Sequence, residues 1–228
     1  MKKYELFKEN EFDTLFRIRA LRDFDDVNAG EVGGYVESEH NLSHDGNCWI
    51  YHDAKVFNSS LVYESAKVFG NAQVSGYAQV YGAAQVYGNG RVCGSARVYG
   101  DAWVYGYTQV SGYAKVYGNA KICGDAQVFG NAKVYDRAKV YDRAKVYDRA
   151  KVYGDAWVYE SAQVFGHTKI YNASECCDTE KTQECSSAVI PVNEHVENYL
   201  KSTDGTVPTK DVVDLLARLG VSYTIHYT

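Results

Sequence analysis

Five cations, Arg97, Lys115, Lys133, Lys151 and Lys169, recur at intervals of 18 residues, and two residues after each stands a tyrosine: Tyr99, Tyr117, Tyr135, Tyr153 and Tyr171. A cation next to a ring suits an anionic, aromatic ligand such as a nucleotide or a single nucleic-acid strand, in which phosphate meets the charge and a base stacks on the ring. The competing reading is internal: each cation lies over its own tyrosines and extends its stem along them. Catalytic groups are sparse. His52 and His167 are separated by 115 positions, and no Gly-rich phosphate loop, nucleophile elbow or paired-carboxylate site is present. Cys176, Cys177 and Cys185 with His195 offer zinc-binding atoms, but their spacing matches no known clip, so no metal or cofactor is expected.

What positions these residues is a period of six. Every sixth residue from Ile50 to Ile170 is Val or Ile, and four residues after each comes a small side chain, usually Ala. A long helix repeats at 3.6 and a long strand at 2, so six requires a short strand followed by a corner. In Ala66-Lys67-Val68-Phe69, alternation sends Ala66 and Val68 inward and Lys67 and Phe69 outward. Gly70 and Asn71 tolerate the positive φ of a tight corner. Three sides close a triangular coil of about 18 residues, and coils stack about 4.8 Å apart by parallel pairing. Seven regular coils give a rod of about 34 Å, with His52 and His167 on the order of 30 Å apart, too far to share a metal or substrate.

The unit V-Y-G-N-A-K resembles the hexapeptide-repeat left-handed β-helix, the shaft of many acyltransferases and of γ-type carbonic anhydrases. The stretch from Arg22 to Tyr51, RDFDDVNAGEVGGYVESEHNLSHDGNCWIY, is similar to the start of YdcK-like bacterial and phage-borne solenoids. The resemblance covers roughly residues 15–175. It implies an all-β, left-handed parallel β-helix with small caps, commonly trimeric. Family acyltransferases use a histidine reached from a loop, and the carbonic anhydrases use three histidines on a metal. This shaft has no loop insertion, so those residues do not carry over and a non-enzymatic protein is expected. A divergent acyltransferase is the alternative. The phage-borne relatives suggest an accessory protein that interferes with a host system.

Around the shaft, residues 1–35 read as an N-terminal β cap, 36–173 as the β-helix, 174–190 as a linker and 191–228 as a C-terminal α/β cap or docking arm with helical segments after Asn193 and Thr209. Val36 and Leu42 start the coiling, and the eight-residue step from Leu42 to Ile50 predicts a bulge. No apolar leader follows Met1 and no stretch approaches a membrane span, so the cytoplasm with reduced cysteines is expected. Residues 1–49 carry net −5, 50–173 net +5 and 174–228 net −5. A mildly basic rod between acidic ends is not a strongly basic nucleic-acid domain.

Positions after each Val form three outer columns. One is tyrosine at every level from Tyr63 to Tyr171, and a second runs from Tyr51 through Phe69, Tyr87 and Tyr105 to Cys123, Tyr141 and Tyr159. The third narrows to Ser75, Cys93 and Ser111, flanked by Tyr77 and Tyr113 at the corners. Stacked rings stabilise a parallel sheet from outside, and a whole flank of rings is also a binding surface. The small strip would let a second copy approach, which predicts a homo-oligomer, a trimer over a dimer. Beyond self-association, the expected partners are an unidentified protein or, on the Tyr/Lys face, a nucleotide or nucleic acid. The triple V-Y-D-R-A-K from Val134 to Arg149 places Asp136–Arg137, Asp142–Arg143 and Asp148–Arg149 at three corners of one coil, where solvated pairs are expected.

Overall fold

In a computed structural model, residues 2–11, 14–171 and 175–176 are described. They fall in the first of two units, 1–182 and 183–228, into which the chain divides. That unit is an all-β parallel β-solenoid of about eight coils with about 18 residues per coil. Its three sheets hold ten, eight and seven strands among the described residues. Most strands are two residues long, and each lies in register on the strand 18 residues away, as in Lys67↔Gln85 with Val68↔Val86.

The side-chain period produces this directly. Each Val or Ile of the shaft, and each Ala four residues later, points into the prism, and nearly all are fully buried. Ser60 and Thr108 occupy two of the small interior positions. The Ser60 hydroxyl donates to the carbonyls of Phe57 (2.7 Å) and Val74 (3.0 Å), which lets a polar group sit in an apolar column. At the corners the chain takes positive φ. Gly82 (φ 72°) lies on Gly100 (φ 70°), and a Cβ on Gly82 would stand 2.7 Å from the Gly100 amide nitrogen. Glycine there serves both the left-handed backbone and the close approach.

The corner carboxylates behave differently from the expected Asp–Arg pairs. Asp136, Asp142 and Asp148 hold φ of 59°, 56° and 58°. Each accepts a hydrogen bond from the corner amide of the next coil: Gly154 (3.1 Å), Glu160 (3.2 Å) and Gly166 (3.1 Å). Arg137 reaches the following coil instead, donating to Asp155 at 2.7 Å. The aspartates thus cap amides between coils, because the amide one coil away lies nearer than the neighbouring guanidinium.

At the N-terminus, β1 (Tyr4–Phe7) pairs antiparallel with β2 (Phe16–Ala20), and β2 pairs antiparallel with β3 (Val32–Val36). β3 then joins the first face in parallel, setting Val36 opposite Val56. This is the β cap expected from the sequence, and it removes an open edge. Leu42 lies opposite Val62 and Ile50 opposite Val68, so the first coil is longer by the residues of the expected bulge.

Lys3 is fully buried beneath the cap. Its ammonium donates to the carbonyls of Cys48 (2.9 Å) and Gly46 (3.3 Å) and meets the Cys48 sulfur at 3.2 Å. Burial lowers the lysine pKa and raises that of the thiol. A second lock joins Lys67 to Asp25 and Asp26, each at 2.9 Å, while the Tyr51 hydroxyl donates to Asp26 at 2.7 Å.

At the other end, Glu175–Cys176 forms one more strand on Trp157–Val158, with Cys176 buried in the place of the next Val. The remaining residues of the expected linker and of the C-terminal cap, with its helical segments, lie outside the described residues.

Candidate functional site

The cation column lies on the third face. Parallel register sets Arg97 directly opposite Lys115, Lys115 opposite Lys133, Lys133 opposite Lys151 and Lys151 opposite Lys169. Like charges facing each other across a sheet are destabilising. The other faces avoid this. On the first face, no two cations are neighbours, because glutamines stand between them, as in Gln73, Arg91 and Gln109. On the second, Lys121 and Lys139 are adjacent, but each covers an indole at 4.4 Å, Trp103 and Trp157 respectively. Among the described residues, none of the five third-face cations forms an ion pair or lies over a ring. The internal cation–π arrangement that the sequence allowed is therefore found on the second face and not on this one.

The neighbouring tyrosine column is a continuous stack. Ring centroids are 4.8 Å apart for Tyr81–Tyr99 and 4.9 Å for Tyr99–Tyr117, Tyr117–Tyr135 and Tyr135–Tyr153, with planes within 3° of parallel. Partial burial and the neighbouring Tyr99 and Tyr135 push the Tyr117 hydroxyl up to about 12. Tyr117 therefore carries no charge to offset the cations at physiological pH. The geometry of the ladder also changes its role. Each ring covers the faces of its neighbours, so a base meets only ring edges at Tyr99, Tyr117, Tyr135 or Tyr153. Stacking on this column, as the sequence suggests, would require opening the ladder. Tyr117→Ala with Tyr135→Ala breaks three ring contacts and should lower stability by roughly 2–4 kcal/mol, read as a drop in Tm.

Two tyrosines with free faces stand beside the same cations. Tyr77 and Tyr113 occupy the corner between the first and third faces and are 69% and 66% exposed. Together with Ser95, Arg97, Lys115 and Lys133 they line a groove of about 620 Å³. The sequence grouped Tyr77 and Tyr113 with the strip Ser75, Cys93 and Ser111. That strip is on the first face, each of its residues half-buried, and it contributes nothing to this groove. The signal that could have separated them is the corner column Tyr77, Ser95, Tyr113, Asn131, in which large residues alternate with small.

His52 and His167 are exposed corner residues. Among the described residues no group of three or more His, Cys, Asp or Glu could hold a metal, and Cys177, Cys185 and His195 lie outside them. Nor, among the described residues, is any helix long and apolar enough to cross a membrane. The buried Lys3–Cys48 contact was not foreseen, since nothing in the local sequence distinguishes Lys3 from a solvated terminal lysine.

A family model for the YdcK β-solenoid repeat matches residues 96–112, which include Arg97, Tyr99 and Ser111. Over 37 residues the chain is 51% identical to a protein of Escherichia coli strain K12 named "Uncharacterized acetyltransferase YdcK". The matched stretch is 16% of this chain and spans 11% of that relative's length. Geometry and likeness agree: the chain is a parallel β-solenoid carrying a YdcK-type repeat, consistent with a YdcK-like solenoid protein.

Proposed function

We propose that this solenoid is a non-enzymatic, cytoplasmic binding scaffold that associates with itself and engages a macromolecular partner through its aromatic outside. The observation that carries this reading is the outer surface itself: stacked tyrosine ladders on a shaft whose period admits no inserted loop between Ile50 and Ile170. Among the described residues, the rod presents a fixed surface with no loop inserted into its coils. Likeness to phage-borne solenoids supports an accessory role that interferes with a host system.

Self-association would use the first face, where Ser75, Cys93 and Ser111 leave a shallow strip, with Phe129, Tyr147 and Phe165 stacked further along. Sedimentation at tens of micromolar should give a homo-oligomer, with a trimer favoured. Ser111→Arg introduces bulk and charge into the strip and should shift the protein to monomer while each chain keeps a cooperative melt. A monomeric parent protein would refute this assembly.

One observation favours a second reading, a nucleotide or nucleic-acid binder: five cations stand in direct register on the third face, and none of them forms an ion pair within the described residues. A divergent acyltransferase is the third reading, and the name of the E. coli relative supports it.

A further inference from the structure

We infer that the corner groove between Tyr77 and Tyr113 is a binding site for a nucleoside polyphosphate, its base held between the two rings and its phosphates on Arg97, Lys115 and Lys133. This rests on the second reading above and moves the ring contact from the ladder to the corner.

Three observations converge on it. Tyr77 and Tyr113 are large aromatic side chains left mostly in solvent, where a buried ladder position would have hidden them. They are two coils apart, about 10 Å at the spacing of parallel strands, and Ser95 between them leaves the intervening level empty. A planar ring inserted midway would lie about 5 Å from each tyrosine, within the range of about 4.5–7 Å at which aromatic rings attract. Finally, the wall next to this slot carries three consecutive cations in direct register, none of them paired. Bringing an anion to that wall relieves the repulsion between like charges and adds charge-assisted hydrogen bonds. Arg97 can hold a phosphate with two parallel donors, while Lys115 and Lys133 act as point charges along the chain.

Three other grooves on the described surface lack this combination. The groove at Glu37, His40 and Asn58 borders Tyr77 on its other side but brings a carboxylate and no Lys or Arg. The one at Asp125, Asp142 and Glu160 is acidic apart from Arg143. The groove at Trp103 has its ring covered by Lys121.

The test is calorimetric titration of the full-length protein with ADP, with adenosine and with pyrophosphate, alongside thermal melting. ADP should bind more tightly than either fragment, and its affinity should fall steeply with salt. Tyr77→Ser with Tyr113→Ser should weaken ADP at least tenfold, leave pyrophosphate unchanged and leave Tm unchanged, since both rings are exposed. Lys115→Gln with Lys133→Gln should weaken ADP and pyrophosphate alike. If ADP and pyrophosphate bind equally and the tyrosine changes move neither, the groove is wrong and only a charged face remains. If ADP binding is instead lost in Tyr117→Ala with Tyr135→Ala at unchanged Tm, the ladder is the site and the groove is overturned. If ADP shows no heat and no shift in Tm at millimolar concentration, the groove and the nucleotide reading both fall, while sedimentation of the same sample still decides self-association.

Discussion

Replacing Val116 by Asp should abolish cooperative melting of the rod at neutral pH. Val116 is fully buried and pairs with Val98 on one side and Val134 on the other. Its own carbonyl is already used, accepting the amide of Tyr99 at 3.0 Å. Its side chain points into the apolar prism, where a carboxylate would have no cation to pair with. An unpaired buried charge costs several kcal/mol, comparable with the whole stability of a domain, about 5–15 kcal/mol. The damage spreads because each coil is stabilised only by its neighbours. Lys115→Glu, one residue earlier but facing outward, should keep a normal melt and also relieve repulsion from Arg97 and Lys133. Circular dichroism melts of the two variants check the assignment. Equal Tm values for both would mean that inside and outside have been misassigned.

Gly46→Ala should be the most damaging alanine substitution among the corner glycines. Gly46 has φ +70°, and a Cβ there would run into the Glu64 carbonyl oxygen and stand 2.9 Å from its carbon. The obstacle is backbone of the next coil, which cannot rotate away. Gly166 isolates the other half of the effect, since its φ is +65° but no described residue lies within 4 Å of the added carbon. Gly166→Ala should therefore cost about 1–2 kcal/mol, the left-handed penalty alone. Gly46→Ala should cost more than that and should also loosen the cap, because the Gly46 carbonyl accepts from the buried Lys3. Chemical denaturation of both variants separates the terms; equal losses would show that the close approach at Gly46 carries no weight.

Much of the candidate site is legible in the sequence. An 18-residue coil makes residues 97, 115, 133 and 151 neighbours by arithmetic, and the register confirms that stacking. What the arithmetic does not contain is which ring faces remain open. Tyr117 and Tyr113 are both tyrosines four residues apart in a repeating unit. One is sealed between two copies of itself at 4.9 Å, and the other stands 66% exposed beside a serine. Only the stacking of one coil on the next separates a structural ring from a free one.

By itself the sequence determined the solenoid, because a strict period of six with alternating large and small interior residues has one economical packing, and it placed the cap, the bulge and the outer columns. It did not reveal the strand at Glu175–Cys176, which falls inside the linker expected from residue 174: Cys stands where the next Val would be, and the change of residue type hides the period. The tertiary structure alone decided contacts between coils whose partners depend on side-chain direction and reach. Asp136 caps the amide of Gly154 instead of pairing with Arg137, and Lys121 covers Trp103 while Lys115 covers nothing. Lys3 enters the interior to satisfy carbonyls at Gly46 and Cys48. Backbone register follows from periodicity, a one-dimensional property. Where a long side chain finds its partner depends on distances between neighbouring coils, and those exist only in the folded rod.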